Sequence, residues 1–437
     1  MQPISRIGAG AGFAGDRVDA AVKLAASGEI DAIGLECLAE RTLIAALRDR
    51  GARAGGGADP RLRRRLAPLI PPAAARGCRI ISNLGAANPA AAAASAAKLA
   101  GELGHKGLRV AAVLGDDVAD RADETEWAQP IDGKLIGAHA YIGADGIAAA
   151  LNEGADIVLT GRAADSALFA APTLAANAGD DTLRATALTV GHLLECTGQL
   201  TGGNFEPPGG GGLDAASLAG LGFPYAHIFP DGTAELAVLA TDPGWLDAMT
   251  CTLQLLYEVH DPSLYITPDA IVDFTGVRFE PVGRNHVRMH GARVVGRPAK
   301  LKVIAFVEAR GMIADVEIGY AGGFALDRAR LAADTLRLRL ADWAAEDIRI
   351  DLVGVDSVLG PASAPSNAAP PELRVHVSAR CEDAEMAQVV EDEVYSLTLS
   401  GPSSGGSIRS ERRPRIETVT GFLAREKVAL SLAWETA

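Results

Sequence analysis

The first half of the chain alternates short apolar runs with alanine-rich helical stretches, and that alternation leaves few folds open. The runs are Ile4–Gly8, Ile30–Leu35, Arg79–Leu84, Leu108–Leu114 and Ala155–Thr160, with helical stretches such as Asp16–Ser27, Asn88–Leu103 and Asp145–Glu153 between them. Short apolar runs that stop at small or polar residues are strands buried on both faces. Strands that alternate with helices build βαβ units around a mainly parallel sheet, so the fold class is α/β. The tract Ala90–Ala97 is then helix surface packed closely on the sheet.

Two further helices are expected between Ala185 and Gln199 and between Trp245 and Val259, bracketing the Gly-rich loop Thr201–Leu213. After Asp261 the pattern changes. Asp273–Phe279, Val287–His290, Leu301–Val307 and Met312–Ile318 alternate with the period of half-exposed antiparallel strands. An amphipathic helix over Leu326–Ala345 follows, then strands at Arg349–Val355 and Leu373–Ala379, a helix at Ala384–Leu397 and a Gly/Ser loop at Gly401–Ser407. This order predicts an α/β Rossmann-like domain over residues 1–260 and an α+β domain with antiparallel strands over 261–437, with the boundary near Val259–Pro268. The stretch Gly360–Pro371 is expected as a surface loop.

Composition narrows the function classes. With 41 Lys+Arg against 55 Asp+Glu the net charge is −14, which repels phosphate backbones and anionic lipid. Nucleic acid and membrane surfaces are therefore not expected partners. No apolar run is long enough to span a bilayer, and the opening residues lack the basic and apolar regions of a signal peptide, so a cytoplasmic location is expected. The five cysteines are scattered without a CxxC pair, which suggests reduced thiols rather than a disulfide framework or zinc site.

In an open parallel sheet, ligands bind beyond the carboxyl ends of the strands. The five expected strands lead there into Gly8–Asp16, Glu36–Arg41, Asn83–Pro89, Gly115–Asp117 and Gly161–Asp165. Gly10, Gly12 and Gly15 match GxGxxG, and Glu36 ends the next strand where a dinucleotide-binding fold places its ribose acid. Asp16, however, stands where the pyrophosphate would sit and suits a helix cap. Asp116 and Asp117 suit a divalent cation or a general base, or one of them caps the next helix. Arg162 suits capture of a substrate carboxylate, or an ion pair with Asp165 that fixes the loop.

Other candidates carry similar alternatives. Asn83 is an amide donor to substrate or a turn residue, while Asn88-Pro89 suits a helix cap followed by the first helical position. Cys37 has acidic neighbours and suits a buried structural thiol. His192 and Glu195 are spaced i, i+3, a poor metal pair. Asn204 closes a polar, glycine-permitted loop. His260 is the first acid/base candidate among the histidines, at the expected domain junction. Gly405 and Gly406, beside Arg409, Arg412 and Arg413, suit a cradle for phosphate or carboxylate, or a flexible loop next to solvated charge.

Taken in order, Arg6–Arg17, Glu36–Thr42, Asn83–Pro89, Thr160–Asp165, His192–Cys196, Thr201–Phe205, Leu255–Pro262 and Ser400–Gly406 resemble the acyclic terpene utilisation protein AtuA family. The resemblance runs from Arg6 to about Arg409. It implies bacterial breakdown of branched acyl-CoA and related carboxylic acids, without implying particular catalytic residues. It also implies a small ferredoxin-like companion with a Ser-Gly-Asp-Lys-Gly-type motif. This chain has no such string, so the companion is expected as a separate polypeptide.

The combined expectation is a catabolic hydratase/dehydratase acting on a small carboxylic acid or its CoA thioester, in a homo-oligomer. Arg162, Asp165, Asn83 and Asn204 would bind substrate; Glu36, Asp116, Asp117 and His260 would supply acid, base or cation ligands. The alternatives are a nicotinamide-dependent oxidoreductase using Gly10, Gly12 and Gly15, and a non-catalytic acyl-binding or assembly subunit working with the companion.

Overall fold

A computed structural model describes residues 1–177, 179–341, 347–362 and 370–437. The expected strands form with ends shifted by few residues: Ser5–Ala11, Ala32–Leu35, Arg79–Ser82, Arg109–Leu114 and Ile157–Thr160. They pair in parallel, with the last inserted between the third and fourth. Antiparallel strands extend this centre on both sides. Pro224–Ile228 pairs with Ser5–Ala11, and Ser431–Thr436 with Arg109–Leu114, within a ten-stranded sheet.

Side chains along the parallel strands alternate between two cores, as a sheet covered on both faces requires. Ile7, Ala9, Ile81, Val113 and Val158 face one cluster; Ile33, Leu35, Ile80, Val110 and Ile157 face the other. Helices Asp19–Ser27, Leu62–Arg76 and Pro89–Glu102 cover the second, while Asp145–Asn152, Asp165–Ala176 and Asp181–Glu195 cover the first. The division follows the strand order, because the connection from the fourth strand to the fifth runs back across the sheet and crossovers of one hand then fall on the opposite face. Asn88 caps Pro89–Glu102 by accepting from the Ala91 N–H at 3.1 Å, with Pro89 in the first turn.

By packing, the chain separates into two compact units: residues 1–129, 136–305 and 420–437 in one, and 130–135 with 306–419 in the other. The segment 261–305 thus packs with the parallel sheet, and the expected boundary near Val259–Pro268 is not where contacts thin. Its short strands explain why: Ile271–Asp273 and Arg293–Gly296 pair, burying Val272 and Phe274 against helix Asp181–Glu195. The second unit lays helices Ala325–Arg339 and Ala384–Ser400 on an antiparallel sheet with its own core, including Val316, Val375, Ala329 and Val394.

Three local expectations are corrected. Asp273–Phe279 is two strands, Ile271–Asp273 and Arg278–Gly283, because the Asp273 carboxylate takes the Thr275 N–H and hydroxyl in a turn. The two strands expected at Leu301–Val307 and Met312–Ile318 are one, Lys300–Ala321, which tolerates Gly311 at φ +95°. Asp16 is not a helix cap, since the helix begins at Asp19 after Val18. The end of the helix expected to reach Ala345 and most of the Gly360–Pro371 loop lie outside the described residues.

Loop Asn83–Asn88 crosses the end of the fifth parallel strand so closely that a Cβ on Gly85 would lie 2.4 Å from the Thr160 carbonyl oxygen. Gly85→Ala should therefore lower the urea midpoint by an amount worth about 1–3 kcal/mol with an unchanged slope. Gly51→Ala, inside helix Glu40–Ala52 with open space around its Cβ, is the control and should be neutral or stabilising.

Candidate functional site

The third and fifth parallel strands are neighbours, yet the chain leaves them toward opposite faces, into Pro89–Glu102 and Asp165–Ala176. Their loops diverge and open a crevice at the carboxyl ends, the usual ligand position in such sheets. Glu36, Asn83, Arg162 and Asp165 converge there, as their places after the strands predict.

Arg162 organises this end. It is 2% exposed. Its Nη1 donates to the Leu38 carbonyl and its Nη2 to Asp165 Oδ1, while Nε and Nη2 reach the Ala163 carbonyl at 3.1 and 2.8 Å. Its guanidinium carbon lies 4.6 Å from the Tyr141 ring centroid, with Lys302 Nζ at 4.8 Å from the same centroid. Tyr141 in turn donates to Glu40 at 2.6 Å. The fork that was expected to grip a substrate carboxylate is directed at the chain's own carbonyls and Asp165. Arg162 therefore ties the loops after the second and fifth strands together and pairs with Asp165.

Glu36 is buried beside it. Its Oε1 accepts from the Leu38 N–H at 2.8 Å and from Asn83 Nδ2 at 3.1 Å, while Asn83 Oδ1 accepts from the Cys37 N–H at 2.7 Å. Asn83 is therefore spent on the turn after the second strand. Burial pushes the Cys37 thiol up, in keeping with a structural cysteine.

The adjacent aspartates point to different surroundings. Asp116 is buried, with Oδ2 2.8 Å from His139 Nδ1 and 2.7 Å from the Arg162 N–H it accepts. Asp117 turns outward, pairs with Arg50 at 2.7 Å and accepts the Ala119 N–H at 3.1 Å. Neither lines the cavity described below. Among the described residues no group of three or more His, Cys, Asp or Glu side chains is placed to hold a metal ion.

The remaining candidates lie apart. His260 is exposed and does not line the cavity. Asn204, at φ +52°, donates to Gln199 Oε1 at 3.4 Å and does not line the cavity described below. Gly10 lies within the first strand, and Gly12 faces a helix end: its Cβ would stand 2.8 Å from the Glu195 carbonyl oxygen. The Gly12 N–H is taken by Asp16 at 2.9 Å, so this turn is filled by the protein itself; Gly15 lies beside the Phe13 ring. Gly405 and Gly406 belong to the second unit, where Arg412 and Arg413 pair with Glu391 and Asp315.

A cavity of about 580 Å³ opens beside Arg162, lined by Asp165, Ser166, His192, Glu195, Tyr265 and Lys302 among others. Its size suits a small organic ligand. His192 and Glu195 end helix Asp181–Glu195, with Nδ1 2.9 Å from Oε1. The other ring nitrogen, Nε2, is 3.2 Å from the Leu255 carbonyl. A carbonyl oxygen only accepts, so Nε2 carries hydrogen, and the Nδ1···Oε1 contact then holds a second, shared proton. Tyr265 packs against the imidazole with ring centroids 4.8 Å apart, and its hydroxyl donates to Ser166 at 3.4 Å.

Burial is the largest single influence and opposes charge on His192, but the Glu195 carboxylate, the Leu255 carbonyl and the charge of Glu258 together outweigh it and raise the imidazole above its ordinary range. Burial likewise raises the carboxyls of Glu195 and Asp165 against their cationic partners. Sequence reasoning passed over this dyad because its i, i+3 spacing was weighed only as a metal pair. The spacing that spoils metal ligation is the one that lets a helical His and Glu touch.

Burial, with the negative charge of Asp165, pushes the Glu36 carboxyl from 4.5 up to about 8. Between those values the folded chain keeps a proton that the unfolded chain has released. Stability fully present below 4.5 is therefore lost as pH rises toward 8. Glu36→Gln keeps an acceptor for the Leu38 N–H and cannot ionise. Its urea midpoint should fall less between pH 5 and pH 8 than that of the wild type, by a difference on the order of a few kcal/mol at most. Equal pH slopes would contradict a protonated Glu36.

Among the described residues no helix is long and apolar enough to cross a membrane. Comparison with curated proteins and with solved structures finds no match. The sequence model of the acyclic terpene utilisation family protein AtuA matches residues 5–434, from the first strand into the last, Ser431–Thr436. The chain belongs to the acyclic terpene utilisation AtuA family.

Proposed function

We propose that the chain is a catabolic hydratase/dehydratase for a small carboxylic acid or branched acyl-CoA, with the crevice cavity as its active site. The observation that carries this reading is the His192–Glu195 pair, which holds a shared proton in the wall of a cavity that also contains the carboxyl of Asp165 and the ammonium of Lys302. Adding water across a carbon–carbon double bond needs a base for the water proton as its oxygen bonds to one carbon. It also needs an acid that delivers a proton to the other carbon. Two carboxyls with raised pKa in one cavity, one coupled to an imidazole, suit those roles at neutral pH.

Lys302, rather than Arg162, is the cation offered to a substrate carboxylate or to the oxygen of a thioester enolate. It is exposed, whereas the guanidinium is buried and occupied. Arg162 holds Asp165 in the cavity wall and, through its N–H to Asp116, fixes the loop. The nicotinamide alternative is disfavoured because the glycine turn it requires is filled by Asp16 and by the Glu195–Thr197 helix end.

The test is incubation of the purified chain with branched 2-enoyl-CoA and 3-hydroxyacyl-CoA thioesters, and their free acids, in deuterium oxide. Interconversion with deuterium at the α-carbon is expected, and Glu195→Gln should slow it by roughly 10²–10⁴-fold with the thermal midpoint preserved. Saturable acyl-CoA binding with neither interconversion nor exchange would overturn the lyase reading in favour of an acyl-binding subunit that needs its companion.

A further inference from the structure

The helix layer of the second unit presents large apolar side chains on its outer face. Helix Ala325–Arg339 buries Ala329, Ala332 and Leu336 against its sheet, yet Phe324, Leu331 and Leu338 are 82%, 58% and 79% exposed. The three stand seven residues apart, two helical turns each time, and so form one stripe along the helix. Leu399, 94% exposed, stands on the last turn of the neighbouring helix Ala384–Ser400, whose Ser400 carbonyl accepts from Arg339 at 3.0 Å.

Phe324 is held outward in a strained position. Its φ of +62° is left-handed, a conformation that bulky side chains avoid. Arg328 fixes that backbone by donating to the carbonyls of Ala321, Gly323 and Ser403 at 2.7, 3.0 and 2.8 Å. Folding gains little from a phenyl ring kept in water by a strained turn, whereas a partner that covers the ring gains its apolar area.

The charges beside the stripe indicate which partner. Asp327, Arg330, Asp334 and Arg337 are exposed, alternate in sign and fall on one flank of the stripe at helical spacing. The flank carries no net charge, so it offers nothing to a uniformly acidic or basic surface. It is complementary to its own reverse. When two copies cross antiparallel with Leu331 on Leu331, Phe324 of each copy lies over Leu338 of the other, and the two-fold relation turns the charged flank toward itself. Asp327 then comes within about two residues' rise, roughly 3 Å along the axis, of Arg337 in the second copy, and Arg330 equally of Asp334. Within one helix Asp334 already pairs with Arg337 at 2.8 Å, an exposed contact that contributes little and exchanges partners readily.

We propose that this face is an interface between two copies of the chain, joined antiparallel through helix Ala325–Arg339. A single helix pair falls short of the roughly 1,200–2,000 Å² that stable complexes bury, so the dimer is a weak one. The interface stands independently of the lyase reading, since its residues do not line the cavity.

The test is sedimentation velocity of the full chain over a concentration series from low to several hundred micromolar. A concentration-dependent monomer–dimer equilibrium is expected, weakened by about tenfold or more in Leu331→Asp with the thermal midpoint preserved, because that side chain is exposed. Asp327→Lys/Asp334→Lys and Arg330→Glu/Arg337→Glu each leave one sign of charge on the flank. Each should dimerise less than the wild type alone, and the two mixed should form a one-to-one dimer. A chain that stays monomeric throughout assigns the patch to a different protein and overturns the proposal. A dimer that survives Leu331→Asp, or charge variants that do not recover on mixing, overturns it as well.

Discussion

A guanidinium sealed at the ends of parallel strands must find its hydrogen bonds and countercharge inside the protein, and Arg162 imposes that requirement here. Leaving such a charge unpaired would cost several kcal/mol. The surrounding chain answers with the carbonyls of Leu38 and Ala163, the carboxylate of Asp165 and the ring of Tyr141. Those groups come from loops after the second and fifth strands and from the segment before helix Asp145–Asn152, so one side chain ties together the backbone around the crevice. The nearby carboxyls of Glu36, Asp165 and Glu40 outnumber the one guanidinium. Burial then decides which of them keeps its proton, and Glu36 does.

The cavity inherits that electrostatic balance. Glu40 is held below the ordinary carboxylate range by its bond from Tyr141 despite burial, while Asp165 and Glu195 are pushed upward. A wall that places carboxyls raised by burial near an exposed ammonium is chemically different from a metal or dinucleotide site, and it is the feature on which the proposed proton transfer rests. Packing of Tyr265 and Phe274 on the His192 ring limits how the imidazole can turn, which preserves the geometry of its bond to Glu195.

Much of the parallel sheet was legible because buried strands and their helices obey short-range periodicities. The same logic found Glu36, Asn83, Arg162 and Asp165, since residues after successive parallel strands must meet at one edge. The roles of Arg162 and Asn83 were not legible, because carbonyls such as that of Leu38 leave no mark in a sequence. Helix Leu62–Arg76 escaped notice through Pro68, Pro71 and Pro72, which local propensity counts against a helix but which tertiary packing tolerates. Tyr265 and Lys302 reach the cavity from segments distant in sequence, and His260, close to one of them in the chain, does not. Domain division was misplaced because short strands after Asp261 alternate like a new layer while burying their apolar face on the first.

The central claim is that His192 and Glu195 share a proton in the cavity wall. Nitrogen-15 NMR of the histidine side chains over a pH series tests it most directly, with Glu195→Gln used for assignment. The account predicts that both His192 nitrogens remain protonated above the ordinary histidine range and that this persistence is lost in the Gln variant. A His192 that titrates at or below the ordinary range, unaffected by Glu195→Gln, would contradict it.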